Sequence, residues 1–210
     1  MRLYKFDDVV IKVQGNAAHF LNGLTSNTLD QKLNAFLNQH GRVIAVCFQE
    51  KQAGDEFKLS IPVIAWEALS LHLGRYAKLS HTNLERLDQK SFLDIDLGKI
   101  VFLDEKKEND ISVDEFTLYR LKNKLPLQGI DFQTDEFILN VDEEIYTSYT
   151  KGCFLGQEPV AKVHNRAKPS RKLVVKFEDE CSPEEASRLS SKVKDPATGR
   201  IQGFVFILQK

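Results

Sequence analysis

Apolar residues that alternate along short stretches, or recur every three or four positions along longer ones, divide the chain into strands and amphipathic helices. Residues 8–14 (Asp-Val-Val-Ile-Lys-Val-Gln) read as a strand running into Gly15. Asn16 is placed to cap a following helix, whose Phe20, Leu21 and Leu24 fall on one stripe. Asn38-Gln39-His40-Gly41 marks a hairpin turn, after which 42–49 is β-rich and mostly apolar. A second turn over 52–55 precedes the alternating stretch 56–61. Pro62 then opens a helix in which Trp66, Leu69, Leu73 and Tyr76 recur at helical spacing, as a core stripe does. Residues 84–103 read as two or three short strands, and the charge run 104–110 as a solvated turn. Ser112-Val113-Asp114-Glu115 has the capping-box pattern and predicts a helix over 113–123 that stops before Pro126. Ser182-Pro183-Glu184-Glu185 repeats that signal, with proline in the first helical position. A turn over 195–199 leads to a closing strand at 201–208. Strands and helices mix without a regular βαβ rhythm, which predicts an α+β fold.

Composition narrows the function classes. The chain has 210 residues, 42% hydrophobic, with 14 Phe, 5 Tyr and one Trp, enough apolar surface for a folded core. Its 29 basic and 30 acidic side chains leave a formal charge of -1, which argues against a generic binder of DNA, RNA or acidic membranes. Cys47, Cys153 and Cys181 are odd in number, far apart and without zinc-finger spacing, so a reducing compartment is expected and a structural zinc site is not. The stretch from Met1 to Asp8 lacks the apolar core of a leader, and no run approaches the ~20 apolar residues that span a bilayer. These features predict a cytoplasmic protein with no membrane partner.

The candidate chemistry concentrates in residues 147–172. Gly152 and Gly156 bracket Cys153, and Pro159 suits the first turn of a helix that would begin beside Gly156 and Gln157. Helix-start amides and Lys151 would then favour the thiolate of Cys153, making it a candidate reactive or ligating cysteine. The plainer alternative is a tight turn around a buried, inert thiol. Lys162, Arg166, Lys168, Arg171 and Lys172 join Lys151 as six cations against the single acid Glu158. They form either an anion site, for carboxylate, phosphate or RNA backbone, or a solvated basic face.

Lys151-Gly152-Cys153-Phe154-Leu155-Gly156-Gln157-Glu158 resembles the Lys-Gly-Cys-(Tyr/Phe)-x-Gly-Gln-Glu signature of the YgfZ family, folate-binding relatives of the glycine-cleavage T-protein (GcvT). The stretch from Gly15 to Asn27 resembles that family's Gly-x-Asp-Ala-x-x-Phe-Leu-x-x-x-x-Thr-Asn opening, with Asn16 in place of the usual acid. Leu37-Asn38-Gln39-His40-Gly41-Arg42-Val43 resembles its Leu-x-x-x-Gly-(Lys/Arg)-(Ile/Val) turn. Arg120 to Pro126 with Gly129-Ile130-Asp131 resembles its Arg-(Ile/Leu)-x-x-Gly-(Ile/Leu)-Pro-x-x-Gly-x-Asp stretch, with Asn123 taken as standing where a glycine is usual. Arg171-Lys172-Leu173-Val174 follows as Arg-Arg-Leu-Val does in relatives. The chain is shorter than full members, the loss falling between about residues 87 and 114 and after 175.

The resemblance implies a compact GcvT/YgfZ-like folate-binding fold, an α+β region over 1–170 followed by a reduced C-terminal β segment at 171–210. It implies tetrahydrofolate as cofactor and an accessory role in iron–sulfur cluster assembly or repair. Client or assembly proteins, tRNA-modifying enzymes among them, would be the partners. Cys153 and Lys151 would carry the chemistry, and Gly152, Gly156, Gln157 and Glu158 would shape the turn. Asn27, Lys162, Arg166 and Arg171 would take folate or another anion. One thiol cannot hold a cluster that needs four ligands, so any contact would be a relay. Other readings stay open: a folate-dependent aminomethyltransferase using Asp30, an RNA-binding module using 162–172, or a scaffold that has lost its ligand.

Overall fold

A computed structural model of the chain describes residues 1–103, 107–166 and 168–209. After a short strand β1 (Leu3–Lys5), alternating and continuous apolar stretches form β2 (Asp8–Gln14), β3 (Leu33–Leu37), β4 (Val43–Lys51), β5 (Glu56–Pro62) and β6 (Asn83–Leu87). β2 to β6 make an antiparallel sheet of order β3-β4-β5-β2-β6. The turns at 38–41 and 52–55 close two of its hairpins, with the Gly41 amide donating to the Asn38 carbonyl at 3.0 Å.

Side-chain alternation gives this sheet two apolar faces. Val9, Ile11 and Val13 of β2 and Phe57, Leu59 and Ile61 of β5 pack under α1 (Ala17–Leu24) and α2 (Val63–Ser80). The helices supply Phe20, Leu21, Leu24, Leu69 and Leu73, with Trp66 and Tyr76 at the margin. Each such burial contributes about 1.5–3 kcal/mol. Asn16 precedes α1 but does not cap it. Its φ of 54° is left-handed, whereas a capping side chain needs an extended backbone. Asp55, from the turn between β4 and β5, accepts from the Ala18 amide at 2.8 Å instead.

The opposite face, with Ala35, Leu37, Val43 and Val46, packs on α4 (Ile138–Val141), α5 (Glu143–Tyr146) and α6 (Gln157–Arg166). A second sheet closes this core through Leu173, Val193 and Phe204. It consists of β9 (Arg171–Phe177), β10 (Ser190–Lys194) and β11 (Ile201–Leu208) in the order β10-β11-β9. The short α7 (Pro183–Ser187) before β10 carries a complete capping box between Ser182 and Glu185.

The third sheet joins the ends of a long loop in sequence. β1 pairs with β7 (Lys90–Asp94), which pairs with β8 (Lys99–Leu103), so 84–103 holds parts of three strands. α3 (Val113–Lys122) covers it, with Phe6, Leu93, Phe116 and Leu125 in a common cluster and the Tyr4 ring stacked on Phe116 at 3.7 Å. Ser112 caps α3 by accepting from the Glu115 amide, but the Glu115 carboxylate pairs with Arg2 at 2.5 Å and does not close the box. Of the charge run, residues 104–106 lie outside the described residues. In the described remainder, 108–110 are exposed, and Asn109 and Asp110 also accept from the Lys5 and Leu3 amides at 2.7 and 3.2 Å. They occupy the otherwise unpaired edge of β1.

A buried ion pair joins these parts. Arg120 of α3 and Asp131 are 3% and 0% exposed, with Nη1 2.6 Å from Oδ2. Ser190 and Ser191 of β10 donate to Asp131 Oδ1 at 2.7 and 2.5 Å, and the Leu127 amide donates to Oδ2 at 2.8 Å. Arg120 also donates to the Leu125 carbonyl and the Ser191 hydroxyl. Between the two partners the chain reverses at Lys124, whose φ is 50°, while Asn123 has φ of -96°. The position that favours glycine is therefore 124, one residue beyond the expected one. Replacing Asp131 by Ala leaves a buried guanidinium without its counter-charge. Urea unfolding should show a loss of about 3–5 kcal/mol, whereas a change below about 1 kcal/mol would show the pair to be dispensable.

Candidate ligand cavity and the Cys153 loop

Where β1, β2, β4, β5, α3 and the segment 125–130 meet, they leave an open cavity of about 350 Å³. Its walls are mostly apolar, with Tyr4, Phe6, Phe48 and Phe116 as the aromatic surfaces. Val63, Ile64 and Ile130 stand at its rim, each about half exposed or more. A volume in the few-hundred-Å³ range, an apolar lining and a few polar groups are what a small-molecule site requires.

Lys5, Asp7 and Asp8 are the charged residues that line the cavity, and Asp8, at the start of β2, is the one set against the main sheet. Ser60 of β5, fully buried, donates to Asp8 Oδ2, and the Ser60 and Ser91 hydroxyls lie 2.8 Å apart. Desolvation by the surrounding apolar groups pushes the Asp8 carboxyl up to about 6, opposed by the Ser60 hydrogen bond and assisted by the nearby Asp7 charge. A carboxyl raised in the folded state contributes stability below its unfolded value, and that contribution is lost as pH rises through about 6. At neutral pH the cavity thus presents an ionised carboxylate in apolar surroundings. Cys47 also lines the cavity; its thiol is buried, and burial pushes its pKa up. Gln128 is already engaged, accepting from the Val46 amide and donating to Ile44 O and Thr134 Oγ1.

The glycine-flanked loop lies on other elements. Cys153 is exposed, while the next residue, Phe154, is buried against the core behind the main sheet. Lys151 Nζ donates to the carbonyls of Thr25 and Asn27 at 2.6 and 2.8 Å and lies 5.3 Å from the Phe154 ring centre. Its ammonium therefore ties the loop to the chain just after α1, and desolvation pulls its pKa down to about 8. Backbone bonds from Ser148 to Ser26 O and from Leu155 to Gly23 O fasten the loop at both ends. The Tyr149 ring stacks on His164 of α6 at 3.7 Å, and Glu143 Oε2 lies 3.2 Å from both the Tyr149 hydroxyl and His164 Nδ1.

The remaining residues singled out in the sequence spread over several surfaces. Gln157 begins α6, Glu158 is exposed, and Pro159 sits in the first turn. Asn27 is 5% exposed and its Nδ2 donates to the carbonyls of Leu33 and Ile145. Lys162 and Arg166 are exposed on α6. Arg171 pairs with Glu136 at 2.5 Å, lies over the Phe206 ring, and lines a shallow groove with His40, Arg42 and Lys168. Asp30 borders a different shallow groove with Lys32, Lys51 and Lys99. None of Asn27, Asp30, Lys162, Arg166 and Arg171 lines the apolar cavity. Sequence reasoning missed Asp8, Ser60 and Ser91. No pattern marked them: Ser60 takes the polar position after Glu56 and Lys58 in an alternating strand, and Asp8 stands at a strand end.

The two glycines of the loop differ in kind. Gly156 has φ of +85°, and a Cβ there would collide with the Asn38 carbonyl oxygen of the β3–β4 turn. A Cβ on Gly152 would meet nothing within 4 Å, and its φ is not in the left-handed region. Gly156→Ala should therefore cost about 2 kcal/mol or more and Gly152→Ala less than about 1, compared by thermal and urea unfolding. Equal losses at the two positions would contradict this division.

No family model matches the sequence, and no curated protein matches it. Among solved structures, the crystal structure of glycine cleavage system aminomethyltransferase T from Bartonella henselae matches 98% of this chain and 78% of that chain. The TM-score is 0.68 at 14% identity. The chain has the α+β fold of that aminomethyltransferase, carried by a sequence with little of its identity.

Proposed function

We propose that the chain is a folate-binding accessory protein that supports iron–sulfur cluster assembly or repair in client enzymes, tRNA-modifying ones among them. The observation that carries this reading is the apolar, aromatic-walled cavity with an ionisable carboxylate in its wall, within a T-protein fold. A reduced folate has a flat, N–H-rich pteridine for such a cavity and a charged tail for the solvent outside it. The likeness of 151–158 to the YgfZ signature supports the accessory role over a transferase.

Cys153 is the thiol exposed for a client, at the tip of a loop that Lys151 and two backbone bonds hold in place. Among the described residues no group of three or more His, Cys, Asp or Glu could hold a metal ion. A cluster handled here would be the client's cargo, its other ligands supplied by the client, with Cys153 making a passing contact.

Calorimetric titration with tetrahydrofolate should show saturable binding at micromolar concentration, for the natural protein and for Cys153→Ala alike. The Cys153→Ala chain should fail to restore a cluster-dependent client enzyme that the natural chain restores. No binding up to millimolar tetrahydrofolate would contradict the folate reading, and full client support from Cys153→Ala would remove the thiol from the account.

A further inference from the structure

We propose that Asp8 selects the head of the ligand: its carboxylate accepts a pair of N–H donors on the edge of a flat heterocycle, such as the 2-amino, N3–H edge of a pteridine. The same ring bearing a carbonyl at that edge is rejected. This deepens the folate reading and rests on it.

The argument begins with hydrogen-bond capacity. Ser60 has one hydroxyl hydrogen, and an ionised carboxylate can only accept, so that hydrogen goes to Asp8 Oδ2. Ser91, fully buried and 2.8 Å from Ser60, then gives its own hydrogen to the Ser60 oxygen. The chain Ser91–Ser60–Asp8 crosses from β7 through β5 to β2 and holds the carboxylate from behind. No protein donor reaches Asp8 Oδ1 among the described residues, and Oδ2 keeps a second lone pair. The carboxylate can therefore accept two parallel N–H bonds from the cavity side, the charge-assisted arrangement that gives the strongest directional preference.

The surroundings make that preference matter. Asp8 is half-buried among Phe6, Phe48 and Pro62, where an ionised carboxylate has less solvent to compensate it than on an open surface, in line with its raised pKa of about 6. A donor edge restores what desolvation removes. A carbonyl edge places lone pair against lone pair, and a site built around hydrogen bonds discriminates strongly against a partner that leaves them unmade. Gln128, whose side chain could have served either edge, is committed to Val46, Ile44 and Thr134.

The test compares tetrahydrofolate with its 2-deamino-2-oxo analogue by calorimetry, on the natural protein and on Asp8→Asn. The natural protein should prefer tetrahydrofolate by at least about 30-fold. Asp8→Asn should lower that preference to within about threefold, because an amide can turn its N–H₂ toward the carbonyl. Equal affinity for the two ligands on the natural protein overturns the assignment without recourse to a variant and leaves the folate reading standing. An undiminished preference in a folded Asp8→Asn does the same. Absence of tetrahydrofolate binding to the natural protein overturns both.

Discussion

The buried pair of Arg120 and Asp131 is the contact on which the other parts of the molecule converge. It joins α3, the segment 125–131 and β10, through one guanidinium, one carboxylate and two serine hydroxyls. A buried pair of this kind adds little net stability against an apolar replacement of the same shape, but removing one partner strands the other charge. Here the pair also sets geometry. Asp131 accepts from the Leu127 amide and Arg120 donates to the Leu125 carbonyl, so the two ends of the ion pair fix the backbone that forms one wall of the cavity. The C-terminal sheet, held by Ser190 and Ser191, braces that wall from the far side.

The cavity lies where two of the sheets, those of β1 and of β2, meet without filling the gap. β1 is only three residues long and ends where Phe6 turns inward, while β2 begins at Asp8. A polar residue at the start of β2 faces a serine in the middle of β5, on the side of that strand opposite Phe57, Leu59 and Ile61. A well-packed protein has no structural need for an unpaired carboxylate among phenylalanines; the arrangement costs stability above pH 6 and gains a directional acceptor. The Cys153 loop is built differently, as a surface feature held by carbonyls and by a glycine pressed against a neighbouring turn. Cavity and thiol are thus separate structures on one scaffold.

What the sequence made legible was local. Apolar β-rich stretches located β2 and β4, alternation located β5, the helical stripe located α2, and the Ser182 capping box was complete as read. Two or three short strands were visible in 84–103, but nothing in that stretch indicated that β7 would pair with β1, some ninety residues away. The same non-locality hid the cap on α1, which comes from Asp55, and the target of Lys151, which is the chain after α1 and not the neighbouring thiol. Cys153 was read as a candidate from its glycine neighbours, and its exposure agrees with a surface role. The basic residues 162–172 illustrate the limit of composition: clustered in sequence, they are divided in space between the face of α6 and the groove beside Arg171. Asp8 was passed over because one carboxylate at a strand end is ordinary until its neighbours are known.

The most direct measurement is the structure of the protein crystallised with tetrahydrofolate. The account predicts the pteridine between Phe6, Phe48 and Phe116 with its 2-amino edge on Asp8, and the glutamate tail leaving past the rim formed by Val63, Ile64 and Ile130. A folate bound instead in the groove of His40, Arg42, Lys168 and Arg171, with the cavity unchanged, would contradict it.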